Sequence, residues 1–197
     1  MVVPPNSPSS MTKNALRQSL RQQRRDYVQS LPPAARSLLH ASLAEHICAH
    51  LSPGKIIGGY VAINSEIDPL PTLVRAAALG CEIAYPWFAD RSADMLFRRA
   101  GNLTPGPFNF PQPDPDAALM QPDVLFVPLL GVDPNGNRLG QGAGHYDRYI
   151  AINQSIKPIF IIGLAYNIQI MGELQADPWD IPMHAIATPG QWIEIAG

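Results

Sequence analysis

The densest run of chemistry-bearing residues in the chain is GNRLGQGAGHYDRY, from Gly136 to Tyr149. Gly140, Gly142 and Gly144 alternate within it. Glycine at every second position frees three backbone units for positive φ and lets main-chain N–H groups converge on an anion. Arg138 stands just before these glycines and Asp147 just after them. A helix starting near His145 would aim the positive end of its dipole at the same point, so a phosphate held there meets guanidinium, amides and dipole together. Asp147, one turn into that helix, offers the hard oxygen ligand of a divalent cation bridging such phosphates. Glycines alone fit a plain loop equally well; Arg138, Tyr146, Asp147 and Arg148 around them favour the phosphate site. Two familiar nucleotide signatures do not fit: no Gly-Lys-Ser/Thr closes a P-loop, and the spacing is GxGxG rather than GxGxxG.

The elements that must position this run are readable from apolar patterning. VLFVPLL, Val124 to Leu130, has the length and branching of a buried strand, so strand, loop and helix N-terminus follow one another. Upstream, Thr12 can cap a helix to about Ser30, with Leu16, Leu20 and Tyr27 on one face and Lys13, Arg17, Arg21 and Arg24 on the next. Such a basic stripe is either a solvated surface or an anion contact. Ala34 to Leu51 reads as a second amphipathic helix, whose His40, His46 and His50 find no partners for a metal site and are expected to face solvent. KIIGGYVAI, Lys55 to Ile63, is a buried strand whose end carries NSEID; Glu66 fits a cap for the next helix, Pro69 to Leu79, or a polar ligand contact at a strand's carboxyl end.

CEIAYP, Cys81 to Pro86, and MLFRRA, Met95 to Ala100, read as further strands. The proline-rich loop from Pro105 to Pro115 is expected to be stiff and without regular pairing, its Phe108 and Phe110 either tucked on the core or turned to a flat ligand. A short helix is expected over Asp114 to Gln121, a strand over Lys157 to Tyr166, and a last short strand over Ala185 to Thr188. Strands alternating with helices predict an α/β fold with a mostly parallel sheet covered on both faces. Residues 1–11, rich in Pro and Ser, read as a flexible tail, and 12–197 as one domain.

Composition narrows the function classes. The chain has 197 residues, 46% apolar and 15% charged, with net charge −2, which suits a globular interior and argues against a general nucleic-acid or membrane-surface binder. The local balance is less even: six of the 14 basic residues lie in the first 36 positions, where Asp26 is the only acid. Cys48 and Cys81, far apart, suit free thiols in a reducing compartment. With no spanning apolar run and no signal-peptide core, a cytoplasmic protein is expected.

The segment VDPNGNRLGQGAGHYDRY closely resembles the signature of 5-formyltetrahydrofolate cyclo-ligases, also called methenyltetrahydrofolate synthetases. The resemblance runs from about Lys13 to Thr188 and implies a three-layer α/β/α sandwich. It also implies ATP-dependent closure of 5-formyltetrahydrofolate to 5,10-methenyltetrahydrofolate with Mg²⁺, through an N5-iminium phosphate; the expected partners are 5-formyltetrahydrofolate and ATP, and a monomer is expected. Carried over residue by residue, it gives ATP contacts at Lys13, Arg17 and Arg138 through Tyr146: Leu139, Gly140, Gln141, Gly142, Ala143, Gly144 and His145 lie between. Arg138 and Tyr146 would be catalytic and Asp147 the metal residue. Val61, Glu66, Phe108 and His145 would contact the folate, and Pro86, Trp87 and Phe88 echo a family strand end, where Trp87 also suits the core. Arg21, Arg24 and Arg25 are left as surface residues. His145 replaces a common aromatic, Ala143 a lysine of some members, and His184 falls where some have an acidic metal contact.

Three other readings remain at this stage. A different phosphate enzyme on a similar sheet would not need Arg138 with Asp147 or the basic helix. A dinucleotide oxidoreductase conflicts with the glycine spacing. A non-catalytic nucleotide- or folate-binding module would tolerate loss of Lys13, Arg17 or Asp147, and all three are present.

Overall fold

Two apolar strands form the middle of the sheet because their side chains alternate between two buried faces. A computed structural model describes residues 12–195, and the expected tail over 1–11 lies outside the described residues. In chain order the elements are α1 (Lys13–Ser30), α2 (Pro33–Cys48), β1 (Ile56–Gly58), α3 (Leu70–Ala78), β2 (Glu82–Trp87), β3 (Leu96–Arg99), β4 (Leu103–Pro105), β5 (Pro111–Pro113), β6 (Leu119–Met120) and β7 (Val124–Pro128). There follow β8 (Gly131–Val132), β9 (Arg138–Leu139), α4 (His145–Asn153), β10 (Phe160–Leu164), β11 (Ala185–Ala187) and β12 (Trp192–Glu194). The main sheet runs β12-β11-β10-β7-β1-β2-β3-β6, with β11, β10, β7, β1 and β2 parallel and the remaining strands antiparallel at the edges.

Along β7, Val124 and Phe126 face one side while Leu125 and Val127 face the other; along β10, Ile162 and Leu164 oppose Ile161 in the same way. The first side packs on Val28, Leu43, Ile47 and Leu73 from α1, α2 and α3, the second on Tyr149 and Ile150 of α4. Each fully buried branched or aromatic side chain contributes about 1.5–3 kcal/mol here. The three layers follow from handedness. β1 steps through α3 to β2 in one direction across the sheet, and β7 steps through α4 to β10 in the other, so right-handed crossovers put α3 and α4 on opposite faces. The reversal falls between β1 and β7, and ligands of open α/β sheets collect in the crevice at the carboxyl ends of such a switch point.

Local chemistry accounts for the helix starts. Thr12 is extended, and its Oγ1 accepts from the Ala15 N–H at 3.3 Å, capping α1 as expected. Pro33 opens α2 at a position where its missing N–H is no loss.

Several expectations need correcting. The proline-rich loop does pair: β5 joins β4 in a separate two-stranded ribbon, which proline tolerates because each strand has a free edge for the missing donor. The helix expected over Asp114 to Gln121 is absent; turns and β6 occupy the segment, and Leu119 and Met120 extend the sheet edge on β3. The strand expected from Lys55 to Ile63 is only β1, since the chain after Gly58 leaves the sheet to form the switch-point loop. His40 is half-buried rather than turned to solvent, its Nε2 3.1 Å from the Tyr166 hydroxyl, whereas His50 is exposed as expected while stacking on Trp192 at 4.0 Å.

Candidate active site

A cleft of about 550 Å³ opens at the switch point, and it gathers Lys13, Arg17, Val61, Glu66 and every residue from Arg138 to Arg148. The glycine loop leaves the hairpin of β8 and β9 and enters α4. Asp133, fully buried, holds the hairpin turn: Oδ1 accepts from the Asn135 and Asn137 N–H groups at 2.9 Å each, and Oδ2 from Asn137 Nδ2 and the Leu174 N–H at 3.0 Å each. That turn delivers Arg138 into the cleft on β9. The signature segment contains Asp133 but gave it no role; the Asp-Pro-Asn-Gly turn composition was the signal for one.

Only two of the three alternating glycines take positive φ, Gly142 at 103° and Gly144 at 65°, whereas Gly140 does not. The loop instead gets its shape from arginines. Arg17 Nε donates to the Gly140 carbonyl at 3.1 Å, Arg21 Nη2 to that of Gln141 at 3.2 Å, and Arg148 Nη1 to that of Ala143 at 2.9 Å. In a trans peptide the C=O of one residue and the N–H of the next point in opposite directions. The N–H groups of Gln141, Gly142 and Gly144 therefore turn away from these guanidiniums, and among the described residues no amide from Gly140 to Tyr146 finds an acceptor. Free amides at a helix start are an anion cradle.

The charged side chains are mutually engaged. Lys13 Nζ lies 2.5 Å from Asp177 Oδ2 and 3.4 Å from Asp180 Oδ2. Desolvation pulls its pKa down, but the two carboxylates outweigh that and leave it above the ordinary lysine value. Arg138 donates to Asp147 Oδ1 at 2.5 Å and to the Ile181 carbonyl at 2.7 Å, with its side chain 5% exposed. Asp147 Oδ1 also accepts from the Ile181 N–H at 3.3 Å, which leaves Oδ2 without a partner among the described residues. No group of three or more His, Cys, Asp or Glu side chains that could hold a metal forms among the described residues. His184 is not part of the cleft: its Nδ1 accepts from the Ile161 N–H at 2.9 Å and its ring stacks on Phe160.

The other wall is apolar. Tyr60, Val61, Phe88 and Phe110 line it, and Phe108 stands behind them, stacked on Phe110 at 5.8 Å and edge-on to His145 at 5.4 Å. His145 also meets Phe88 edge-on at 4.9 Å. Burial, and then Arg148, whose Nη2 lies 3.0 Å from Nδ1, lower the imidazole pKa and favour the neutral ring. Burial, reinforced by Glu66, pushes the Tyr146 hydroxyl well up, so it stays protonated and can donate. Glu66 is 8% exposed, and its Oε2 accepts from the Ile63 N–H at 3.1 Å. Burial raises its pKa, while the Ile63 amide, Arg24 and Gln141 pull the other way.

Arg24, expected at the surface, is 3% exposed. Its Nε donates to Ser65 Oγ at 3.2 Å and its Nη1 to the Leu129 carbonyl at 2.9 Å. The signal was present: Leu20, Arg24 and Val28 recur every fourth residue and form the buried stripe of α1.

The profile of the 5-formyltetrahydrofolate cyclo-ligase family matches residues 9–189. A 5-formyltetrahydrofolate cyclo-ligase of Mycolicibacterium smegmatis is 28% identical over 195 residues, covering 94% of this chain and 97% of its own length. That of Escherichia coli is 29% identical over 140 residues, covering 67% and 76%. The solved structure of a 5,10-methenyltetrahydrofolate synthetase from Mycoplasma pneumoniae superposes with a TM-score of 0.71 at 26% identity, covering 91% of this chain and 99% of that one.

Proposed function

The chain belongs to the 5-formyltetrahydrofolate cyclo-ligase family, and from that premise we propose that it uses ATP to close 5-formyltetrahydrofolate to 5,10-methenyltetrahydrofolate. The observation that carries the reading is the division of one cleft into two halves. One half has Lys13, Arg17, Arg138 and free loop amides, and the other has aromatic walls and the buried acceptor Glu66.

The formyl oxygen is a poor leaving group. In the proposed reaction it attacks the γ-phosphorus of ATP, the bond to the β–γ bridging oxygen breaks, and ADP departs. The N5 lone pair then completes an iminium phosphate. N10 attacks the formyl carbon and loses its proton, the carbon–oxygen bond breaks, and inorganic phosphate leaves. Such chemistry asks the protein for positioning and charge stabilisation more than for acid–base groups.

Lys13, Arg17 and Arg138 neutralise the phosphates, and the amides of Gln141, Gly142 and Gly144 cradle them. Asp147, whose Oδ2 has no partner among the described residues, would hold Mg²⁺, and the ion would supply Lewis-acid charge stabilisation. Tyr146, still protonated, donates a hydrogen bond at the seam between the two halves. Glu66 accepts from the N–H edge of the pterin, while Val61, Phe110 and the His145 ring, backed by Phe108, hold the flat ring system.

Purified protein mixed with 5-formyltetrahydrofolate, ATP and Mg²⁺ is expected to produce the near-ultraviolet absorbance of the methenyl product, with ADP formed in step. Omitting any component should abolish the rise. No rise in the complete mixture, with protein shown to be folded, overturns the reading.

A further inference from the structure

Among the described residues the buried guanidinium of Arg24 has only neutral hydrogen-bond partners, Ser65 Oγ and the Leu129 carbonyl. These lie on two different segments. Ser65 is next to Glu66 in the loop after β1, and Leu129 follows β7, so Arg24 ties α1 to both sides of the switch point. A charge this deep in the protein is costly unless it is compensated. Among the described residues no carboxylate lies within ion-pair distance of Arg24, and the acid that acts on it through space is Glu66.

The titratable and polar groups facing Glu66 are Arg24 from α1, Tyr60 from the chain beyond β1, Tyr146 from α4 and Gln141 from the glycine loop. Arg24 is the one cation among them. Glu66 lines the cleft, whereas Arg24 does not. The guanidinium therefore acts on the ligand only through its neighbours.

We propose that Arg24 is a positioning residue for the folate half of the cleft, fixing the loop through Ser65 and supplying the countercharge to the Glu66 carboxylate. The inference rests on the folate reading above. It assigns Arg24 a role separate from Lys13 and Arg17, which lie on the same helix and serve the phosphates. Its signature is selective: the folate side weakens while the nucleotide side does not.

The test is calorimetric binding of 5-formyltetrahydrofolate and, separately, of ATP with Mg²⁺ between pH 5.5 and 8, on wild type, Arg24→Met and Arg24→Lys. With Arg24→Met, folate affinity should fall roughly tenfold, and the acid limb of binding should move up by about one pH unit, because an opposite charge is lost beside a buried acid. ATP affinity should stay within about twofold. Arg24→Lys keeps the charge, so its limb should stay near the wild-type position while affinity falls by a smaller factor. Equal losses for both ligands, or an unmoved folate affinity and limb in folded Arg24→Met, overturn the proposal. If Arg24→Met does not fold, unchanged folate affinity in Arg24→Lys overturns it. Failure of the wild type itself to bind 5-formyltetrahydrofolate removes the folate reading and this inference with it.

Discussion

Replacing Gly142 with alanine separates the backbone contribution of the glycine loop from its sterics. At φ of 103° an L-residue is strained whatever space surrounds it, and such a conformation costs of order 1–3 kcal/mol. Space is not the obstacle: an added Cβ would lie 3.4 Å from Arg17 Cζ and Nε, the movable end of a flexible side chain. The loop can therefore relax to negative φ, which rotates the adjoining peptides and loses the Arg17 and Arg21 contacts to the Gly140 and Gln141 carbonyls. Nucleotide binding would then have to restore the strained conformation. That converts about 1–3 kcal/mol into a weakening of ATP affinity by roughly 5- to 150-fold. Gly140→Ala is the internal control, since Gly140 has no positive φ and its Cβ would meet nothing within 4 Å. Titration of ATP into both variants, alongside urea unfolding, makes the comparison. Equal damage in the two variants, or unchanged ATP affinity in Gly142→Ala, would refute the argument that backbone conformation at Gly142 builds the cradle.

Asp147→Asn should remove Mg²⁺-dependent turnover while leaving Arg138, 5% exposed, with a neutral amide oxygen in place of its carboxylate partner beside the Ile181 carbonyl. The stability cost should be about 1–3 kcal/mol, read by urea unfolding; turnover near wild type would remove Asp147 from the metal role. Glu66→Gln should bind folate poorly yet melt higher at neutral pH. Burial sets the folded-state pKa of Glu66 above its ordinary value of 4.5, so its contribution to stability is full below that value and is lost as pH rises through the folded one. The melting advantage of the variant should therefore shrink toward pH 4.5, and an advantage that is absent or independent of pH contradicts the burial argument. Thr12→Ala removes the α1 cap and should cost about 0.5–1 kcal/mol by thermal unfolding. It should also raise the KM for ATP, because Lys13 is the first residue of the helix that frays; an unchanged KM would mean that Asp177 and Asp180 alone hold Lys13.

The parts of the fold that were legible in the sequence are those in which local patterning and tertiary demand agree. The run at Val124 is apolar on both faces because both faces are covered, and Thr12 caps a helix because its hydroxyl reaches Ala15. The glycine motif located the cleft. What it could not convey is which peptides turn, since that depends on Arg17 and Arg21 arriving from more than 100 residues away. Arg24 was misplaced because charge outweighed the four-residue spacing that puts it between Leu20 and Val28. The pairing of β4 with β5 was hidden by prolines, which remove donors but leave the carbonyls and the free edge of a two-stranded ribbon. Phe108 and Phe110 are alternatives that composition cannot rank, and only the chain's path brings Phe110 to the lining and sets Phe108 behind it.

The cations of this cleft are not waiting as free charges. Lys13 is held by Asp177 and Asp180, and Arg138 by Asp147, so carboxylates stand where the proposed reaction puts phosphates or their metal. The partly exposed Lys13 pairs are worth about 0.2–1 kcal/mol each, so giving them up taxes nucleotide affinity by only a small factor. In exchange, the lysine is already extended toward the cleft, and its side-chain entropy is spent before the ligand arrives. The Arg138 pair is different because it is buried, and opening it would cost far more. On the proposed reaction, Lys13 would exchange carboxylate for phosphate, while Arg138 would keep Asp147 and leave its Oδ2 for the metal. One cation would then move and the other anchor, and the segment carrying Asp177, Asp180 and Ile181 would be loosened by binding at its Lys13 contacts and stay fixed at its Arg138 and Asp147 contacts.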